Sequence, residues 1–119
     1  MDTIDQALAS LIESVPGSLV AALLGMDGVA VQVTPENGEL GLDRDAMEIE
    51  LAALAEAVLK AAAGLNRGES GEFFLGTAQA NFLGAMLDSS YFLVVGLAPD
   101  GDLERAGEAL AAAMESLKG

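Results

Sequence analysis

The sequence predicts an α+β fold in which one antiparallel sheet carries helices on its faces. Segments with helical periodicity and segments with strand-like alternation follow one another in the order α-β-β-α-β-β-β-α. Short connections join the last three strands, which favours an antiparallel meander. The chain has 119 residues, 52% of them hydrophobic, so it can bury an ordinary core within one domain.

The first half of the chain is predicted to form a helix and a hairpin. Apolar residues at helical spacing predict a helix from Ile4 to Ser14. Strands are predicted over Ser18 to Leu24 and Val29 to Thr34, and alternation in the second strand predicts one buried face made of its valines. Asp27-Gly28 between the strands predicts a type I′ turn, which needs positive φ at both residues. A loop with an Asn37-Gly38 turn follows.

The second half begins with a helix from about Ala46 to Ala63. Asp45 is predicted to cap this helix, and Gly64 to close it in a left-handed conformation. Strands are then predicted over Gly71 to Thr77, Asn81 to Asp88 and Tyr91 to Ala98, and the last helix, capped by Asp102, over Leu103 to Leu117.

The second helix is apolar around most of its circumference, whereas a surface helix normally has one apolar stripe. Its sheet-facing side is predicted to consist of Met47, Leu51, Leu54 and Val58. An adjacent side carries only small residues, Ala46, Ala53, Ala57 and Ala61. Small residues permit close helix–helix approach, so this side is predicted to be covered by a second chain. Alternatively, these alanines only favour helix formation and stay exposed.

Two further features of the sequence predict contacts with other chains. Phe73 and Leu75 lie on an apolar strand that would assist dimer formation if it is at a sheet edge. On the second helix, Ile49 and Leu59 interrupt the charged side. Together with the neighbouring charged residues, they form a predicted partner-docking patch of Glu48, Ile49, Glu56, Leu59 and Lys60. The alternative is that these two residues are ordinary scattered surface hydrophobes.

Charge and composition exclude several classes of function. Nineteen acidic and five basic residues give a net charge of −14, which would repel nucleic acid and an anionic membrane surface. The chain has neither Cys nor His, so we predict no thiolate or imidazole metal site and no cofactor. The start of the chain lacks a basic segment and an apolar run, and no apolar run is long enough to span a bilayer, which predicts a cytoplasmic protein without membrane insertion.

Catalytic motifs are also missing from the sequence. Neither a Gly-Lys-Ser/Thr phosphate loop nor a Gly-x-Ser-x-Gly elbow occurs. The acidic pairs Asp43/Asp45 and Asp100/Asp102 are better explained as helix caps than as cation ligands. Arg67 in a glycine-rich loop could reach outward like an arginine finger, but surface solvation is the preferred explanation for all three arginines, Arg44, Arg67 and Arg105. We therefore predict no catalytic residues and a protein that is not an enzyme.

Several local motifs match a known family. They are Val15-Pro16-Gly17 after the first helix, Leu19-Val20-Ala21-Ala22-Leu23-Leu24, Asp27-Gly28-Val29-Ala30-Val31 at the hairpin, the alanine-rich helix and the final helix. In these features the chain resembles the Roadblock (dynein light-chain) family over nearly its whole length, as a single domain of residues 1–119. The resemblance implies a five-stranded antiparallel sheet with the long helix on one face and the two terminal helices on the other. It also implies dimers that pair these long helices and join their sheets edge to edge.

The resemblance also implies a function. Bacterial MglB-like members look like partners and activators of a Ras-like small GTPase, while related members act as scaffolds. We therefore consider three hypotheses for the function of this chain. They are a dimeric regulator of a small GTPase, a scaffold subunit with no effect on nucleotide turnover, and a small-ligand sensor or enzyme of unknown type.

Overall fold

The secondary-structure elements follow the predicted order in a computed structural model that describes residues 3–35, 43–66 and 71–118. They are α1 (Thr3–Ser14), β1 (Ser18–Gly25), β2 (Ala30–Thr34), α2 (Arg44–Leu65), β3 (Glu72–Gly76), β4 (Asn81–Met86), β5 (Tyr91–Leu97) and α3 (Leu103–Lys118). The predicted Asn37-Gly38 turn and Arg67 lie outside the described residues.

The five strands form one antiparallel sheet in the order β2-β1-β5-β4-β3. The central strands β1 and β5 are buried on both faces, which explains why both are almost continuously apolar in sequence. The edge strands β2 and β3 are shorter and more exposed. The meander β3-β4-β5 is confirmed, and β1 inserts beside β5 to complete the sheet.

Each face of the sheet has its own core, because successive side chains of a strand point to opposite faces. In β5, Leu93, Val95 and Leu97 join the core beneath α1 and α3. Phe92 and Val94 of the same strand join the core beneath α2. The predicted fold class, with one long helix on one face and two terminal helices on the other, is therefore confirmed.

The turn between β1 and β2 differs from the predicted type I′ turn. Only Gly28 of the Asp27-Gly28 pair has positive φ, at 85°. The Gly28 N–H donates to the Gly25 carbonyl (3.0 Å), and the Asp27 carboxylate accepts from the Val29 N–H (3.0 Å). The connection is thus a tight turn followed by a left-handed glycine. A bulge follows it, where the β1–β2 register shifts between Leu23 and Leu24.

The predicted burial of Val29, Val31 and Val33 is wrong for two of these three residues. Val33 is buried, but Val29 and Val31 are 63% and 46% exposed. Strand β2 lies at an edge, and the register shift in the β1–β2 ladder interrupts its strict alternation. Sequence periodicity cannot reveal such a shift, because it counts residues along one strand and not their pairing.

Both predicted ends of α2 are also wrong, each by two residues. Asp43, not Asp45, caps the helix, since its carboxylate accepts the Ala46 N–H at 3.2 Å. Asn66, not Gly64, is left-handed at the other end (φ 58°), and its N–H donates to the Ala63 carbonyl. Asn tolerates this conformation better than most side chains, so Gly64 is left inside the helix.

The final helix agrees with its prediction. The Asp102 carboxylate accepts the Arg105 N–H at 3.0 Å, as expected of an N-cap. None of the helices within the described residues is long and apolar enough to cross a membrane.

Candidate interface on the second helix and the edge strand

The sheet-facing side of α2 is broader than the sequence predicted. Met47 and Leu51 are buried as predicted, and Leu54 and Val58 are half-buried against the same core. Two alanines, Ala52 and Ala55, are buried as well, at 4% and 0% exposure. The burial of these two alanines could not be predicted, because alanine is common both in cores and on helix surfaces.

The predicted small-residue side of α2 is open to solvent in the single chain. We call Ala46, Ala53, Ala57 and Ala61 the alanine surface; all four are exposed. At about 100° per residue they span only about 80° of the helix circumference. Glu50 falls within the same arc and is also exposed, so this surface consists of methyl groups with one carboxylate among them.

The β1–β2 turn lies beside α2 at Ile49. A Cβ built on Gly28, in the β1–β2 turn, would lie 3.9 Å from both the Cα and the Cγ1 of Ile49. Ile49 and Ala57 lie about 140° to either side of the buried face of α2. The two residues are therefore only about 80° apart on the solvent side of α2, and the part of that side around Ile49 lies beside the β1–β2 turn.

Strand β3 is an edge strand, as the predicted interface requires. It pairs with β4 from Glu72 to Gly76, and within the described residues its other side pairs with no strand. Leu75 is 37% exposed and Phe74 is 52% exposed. The backbone of β3 therefore offers unpaired hydrogen-bonding groups beside exposed apolar side chains.

The structure places the ring of Phe73 in the core rather than at the surface. Phe73 is 7% exposed and meets Phe92 edge to face, with ring centroids 5.9 Å apart. It pairs across the ladder with Gly84, where an added Cβ would lie 2.3 Å from the ring. The buried ring of Phe73 thus packs β3 against the core. The exposed aromatic residue of β3 is Phe74, which was not among the predicted interface residues.

The five predicted docking residues are on the outer surface of α2 but differ in exposure. Ile49 is 59% exposed, while Glu48 and Leu59 are half-buried. Lys60 and Glu56 form an exposed ion pair of 3.1 Å, of a kind worth only about 0.3–0.5 kcal/mol. Ile49 is therefore the most exposed apolar side chain of this patch.

The chemistry of these surfaces suits contact with another protein. The described residues contain no group of three or more acidic, His or Cys side chains that could hold a metal ion. The carboxylates of Asp43 and Asp102 are engaged as helix caps. The long helix and the edge strand both expose apolar side chains, and the edge strand adds unpaired backbone groups; such surfaces are typical of association sites.

Comparison with known proteins agrees with the fold described above. No family model matches the sequence, and no curated protein matches it. Among solved structures, MglB of Myxococcus xanthus superposes with a TM-score of 0.84 at 16% identity, covering 98% of this chain and 93% of that one. A Roadblock/LC7 domain from Streptomyces avermitilis gives 0.72 at 24% identity, covering 96% and 93%. An MglB with a tetrameric arrangement gives 0.79 at 16% identity, covering 96% and 84%.

These likenesses define the class of fold. The chain has the Roadblock/LC7 fold, with a sheet between one long helix and two terminal helices. Its structure is similar to that of the MglB proteins along almost its entire length, and the resemblance read from the sequence is confirmed at the level of the fold.

Proposed function

We propose that this chain, as a single domain of residues 1–119, is a non-enzymatic homodimeric regulator or adaptor that binds a Ras-like small GTPase in the cytoplasm. The observation that carries the proposal is the exposed alanine surface of α2, in a chain whose strand β3 also forms an unpaired edge of the sheet within the described residues. A second copy of the chain offers the same two features by two-fold symmetry, so a dimer can pair helix with helix and edge with edge.

The proposed dimer pairs two copies of α2 along their alanine surfaces. Small side chains let the helix backbones approach closely. Burying about 250 Å² on each helix offers on the order of 6 kcal/mol per subunit at about 25 cal/mol per Å². Association costs about 4–15 kcal/mol, so the helix pair needs support. Pairing of the two β3 edges supplies backbone hydrogen bonds and covers Phe74 and Leu75. The similarity to an MglB with a tetrameric arrangement supports self-association.

The proposed GTPase site is the docking patch on the outer surface of α2. Its residues are Glu48, Ile49, Glu56, Leu59 and Lys60. Ile49 lies at the border of the alanine surface, three residues from Ala46 and four from Ala53, on the side of the β1–β2 turn, so the docking patch adjoins the proposed dimer contact. An exposed isoleucine on a helix surface is the kind of apolar anchor that a partner buries. A Ras-like partner follows from the resemblance described for the sequence.

The decisive experiment identifies the partner and then measures nucleotide turnover. The tagged full-length chain is used to recover partners from native lysate, and any phosphate-loop GTPase recovered is purified. Phosphate release is then measured with and without the dimer. Changed turnover supports a regulator, binding with unchanged turnover supports the scaffold alternative, and the absence of any such GTPase contradicts the proposal.

Two variants test whether the GTPase binds at the docking patch. Ile49→Asp should weaken GTPase binding at least about tenfold, because truncating a central apolar anchor typically costs 2 kcal/mol or more. Leu103→Asp makes the same change at an exposed residue on the opposite face and should leave binding unchanged. Equal effects of the two variants would mean that the docking patch is placed wrongly.

A further inference from the structure

A groove runs between α1 and α3, on the face of the sheet opposite to α2. It has a volume of about 770 Å³ and is lined from residue 6 to residue 14 of α1 and from residue 105 to residue 116 of α3. At about 1.5 Å per residue these stretches are about 12 and 16 Å long, which corresponds to two or three turns of helix. All the lining residues are among those the structure describes.

The groove exists because both helices present short side chains to it. Ser10 and Ser14 line it from α1, and Ala109 and Ala112 from α3. Buried residues form its floor, among them Leu11, which is 1% exposed. Positions three or four residues apart on each helix make regular rows, and the rows of a third helix can pack between them. The spacing and the length of the groove fit a helix of about three turns.

The charged residues around the groove indicate which kind of partner helix would bind there. Glu13 and Glu108 line it on its two sides, and Arg105 lies at one end of the lined stretch of α3. Together α1 and α3 carry five acidic residues against two basic ones, namely Asp5, Glu13, Glu104, Glu108 and Glu115 against Arg105 and Lys118. The whole chain adds a field of the same sign, with a net charge of −14.

We propose that this groove is a second docking site, which takes a cationic amphipathic helix from another protein. The apolar face of that helix lies on the short side chains of the groove, and its lysines or arginines meet Glu13 and Glu108. A second copy of this chain fits poorly, because it would bring like charges together at the rim. The site is separate from α2 and from β3, so it does not depend on the proposed GTPase function.

The test uses a synthetic peptide of about four helical turns, with lysine on one face and leucine and alanine on the other. Binding to the full chain is measured by fluorescence anisotropy, and helix formation in the bound peptide by circular dichroism. We expect helical, saturable binding that weakens as salt rises. A peptide with glutamate in place of lysine should bind at least tenfold more weakly. No saturable binding of the lysine peptide, or equal binding of both peptides, would overturn the proposal.

Two neighbouring alanines provide a matched control against non-specific attraction to an acidic protein. Ala112 lines the groove and Ala111 does not, although both are exposed on α3. Ala112→Phe should fill the groove and weaken binding at least tenfold, while Ala111→Phe should change it less than twofold. Equal affinities for the two variants contradict the proposed site. A change in oligomeric mass with Ala112→Phe alone would instead assign the groove to contact between copies.

Discussion

Replacing Ala57 by glutamate should separate the proposed dimer into single chains. Ala57 lies in the middle of the alanine surface and is exposed in the single chain, so the variant chain should fold normally. In the dimer the two new carboxylates would be buried near the symmetry axis without partners. An uncompensated buried charge costs about 3–5 kcal/mol. Since about 1.4 kcal/mol is a factor of ten, the dissociation constant should rise at least about a hundredfold.

Sedimentation velocity over a range of protein concentrations measures this change directly. The wild-type chain should sediment as a dimer at concentrations where Ala57→Glu sediments as a monomer. Ala111→Glu, the same change at an exposed alanine of α3, should leave the dimer intact. Circular dichroism should show the same helix content in all three proteins. A wild type that is monomeric throughout, or an Ala57→Glu protein with the dimer's mass, would refute the proposed pairing of α2.

Further predictions concern the local structure that supports these surfaces. Gly84→Val should destabilise the chain by about 1–3 kcal/mol in urea unfolding, because its side chain would collide with the ring of Phe73. Gly64→Ala should stabilise it by about 0.5–1 kcal/mol, since Gly64 is helical and has free space around it; a loss of stability would contradict its place inside α2. Asp43→Ala should cost about 1 kcal/mol by removing the N-cap, whereas Asp45→Ala should cost only a few tenths; the reverse order would restore Asp45 as the cap.

The order and nature of the elements could be predicted from the sequence, because they depend on periodicity. The helical spacing of α3 favours a helix, and the short, continuous apolar run of β5, which is rich in β-branched and aromatic residues and bounded by turn residues, favours a buried strand. The ends of α2 could not be fixed in the same way. Asp43 and Asp45 are equally good caps by residue type, and so are Gly64 and Asn66 at the other end. The choice between them depends on how far the helix extends over the sheet.

The candidate interface was predictable in part for a similar reason. Alternation placed Phe73 and Leu75 on one face of β3 and Phe74 on the other, but sequence alone does not say which face the core covers. The ring of Phe73 is buried because β4 offers Gly84 opposite it, a pairing that depends on register. Helical spacing places the four alanines on one side of α2, and the structure leaves that side exposed, while the position of Ile49 beside the β1–β2 turn required the tertiary structure.

The two edges of the sheet are unequal, which limits how far the proposed edge-to-edge pairing could extend. At β2 the ladder with β1 is interrupted by a shift of register. Such a bulge twists the edge strand and disrupts the row of backbone groups with which another strand would have to pair. At β3 the pairing with β4 runs without interruption through five residues. Only the β3 edge is thus suited to continuous strand pairing. When two copies pair through it, neither copy has a second suitable edge left. Growth should stop at the pair, so strand addition would not continue into a fibre.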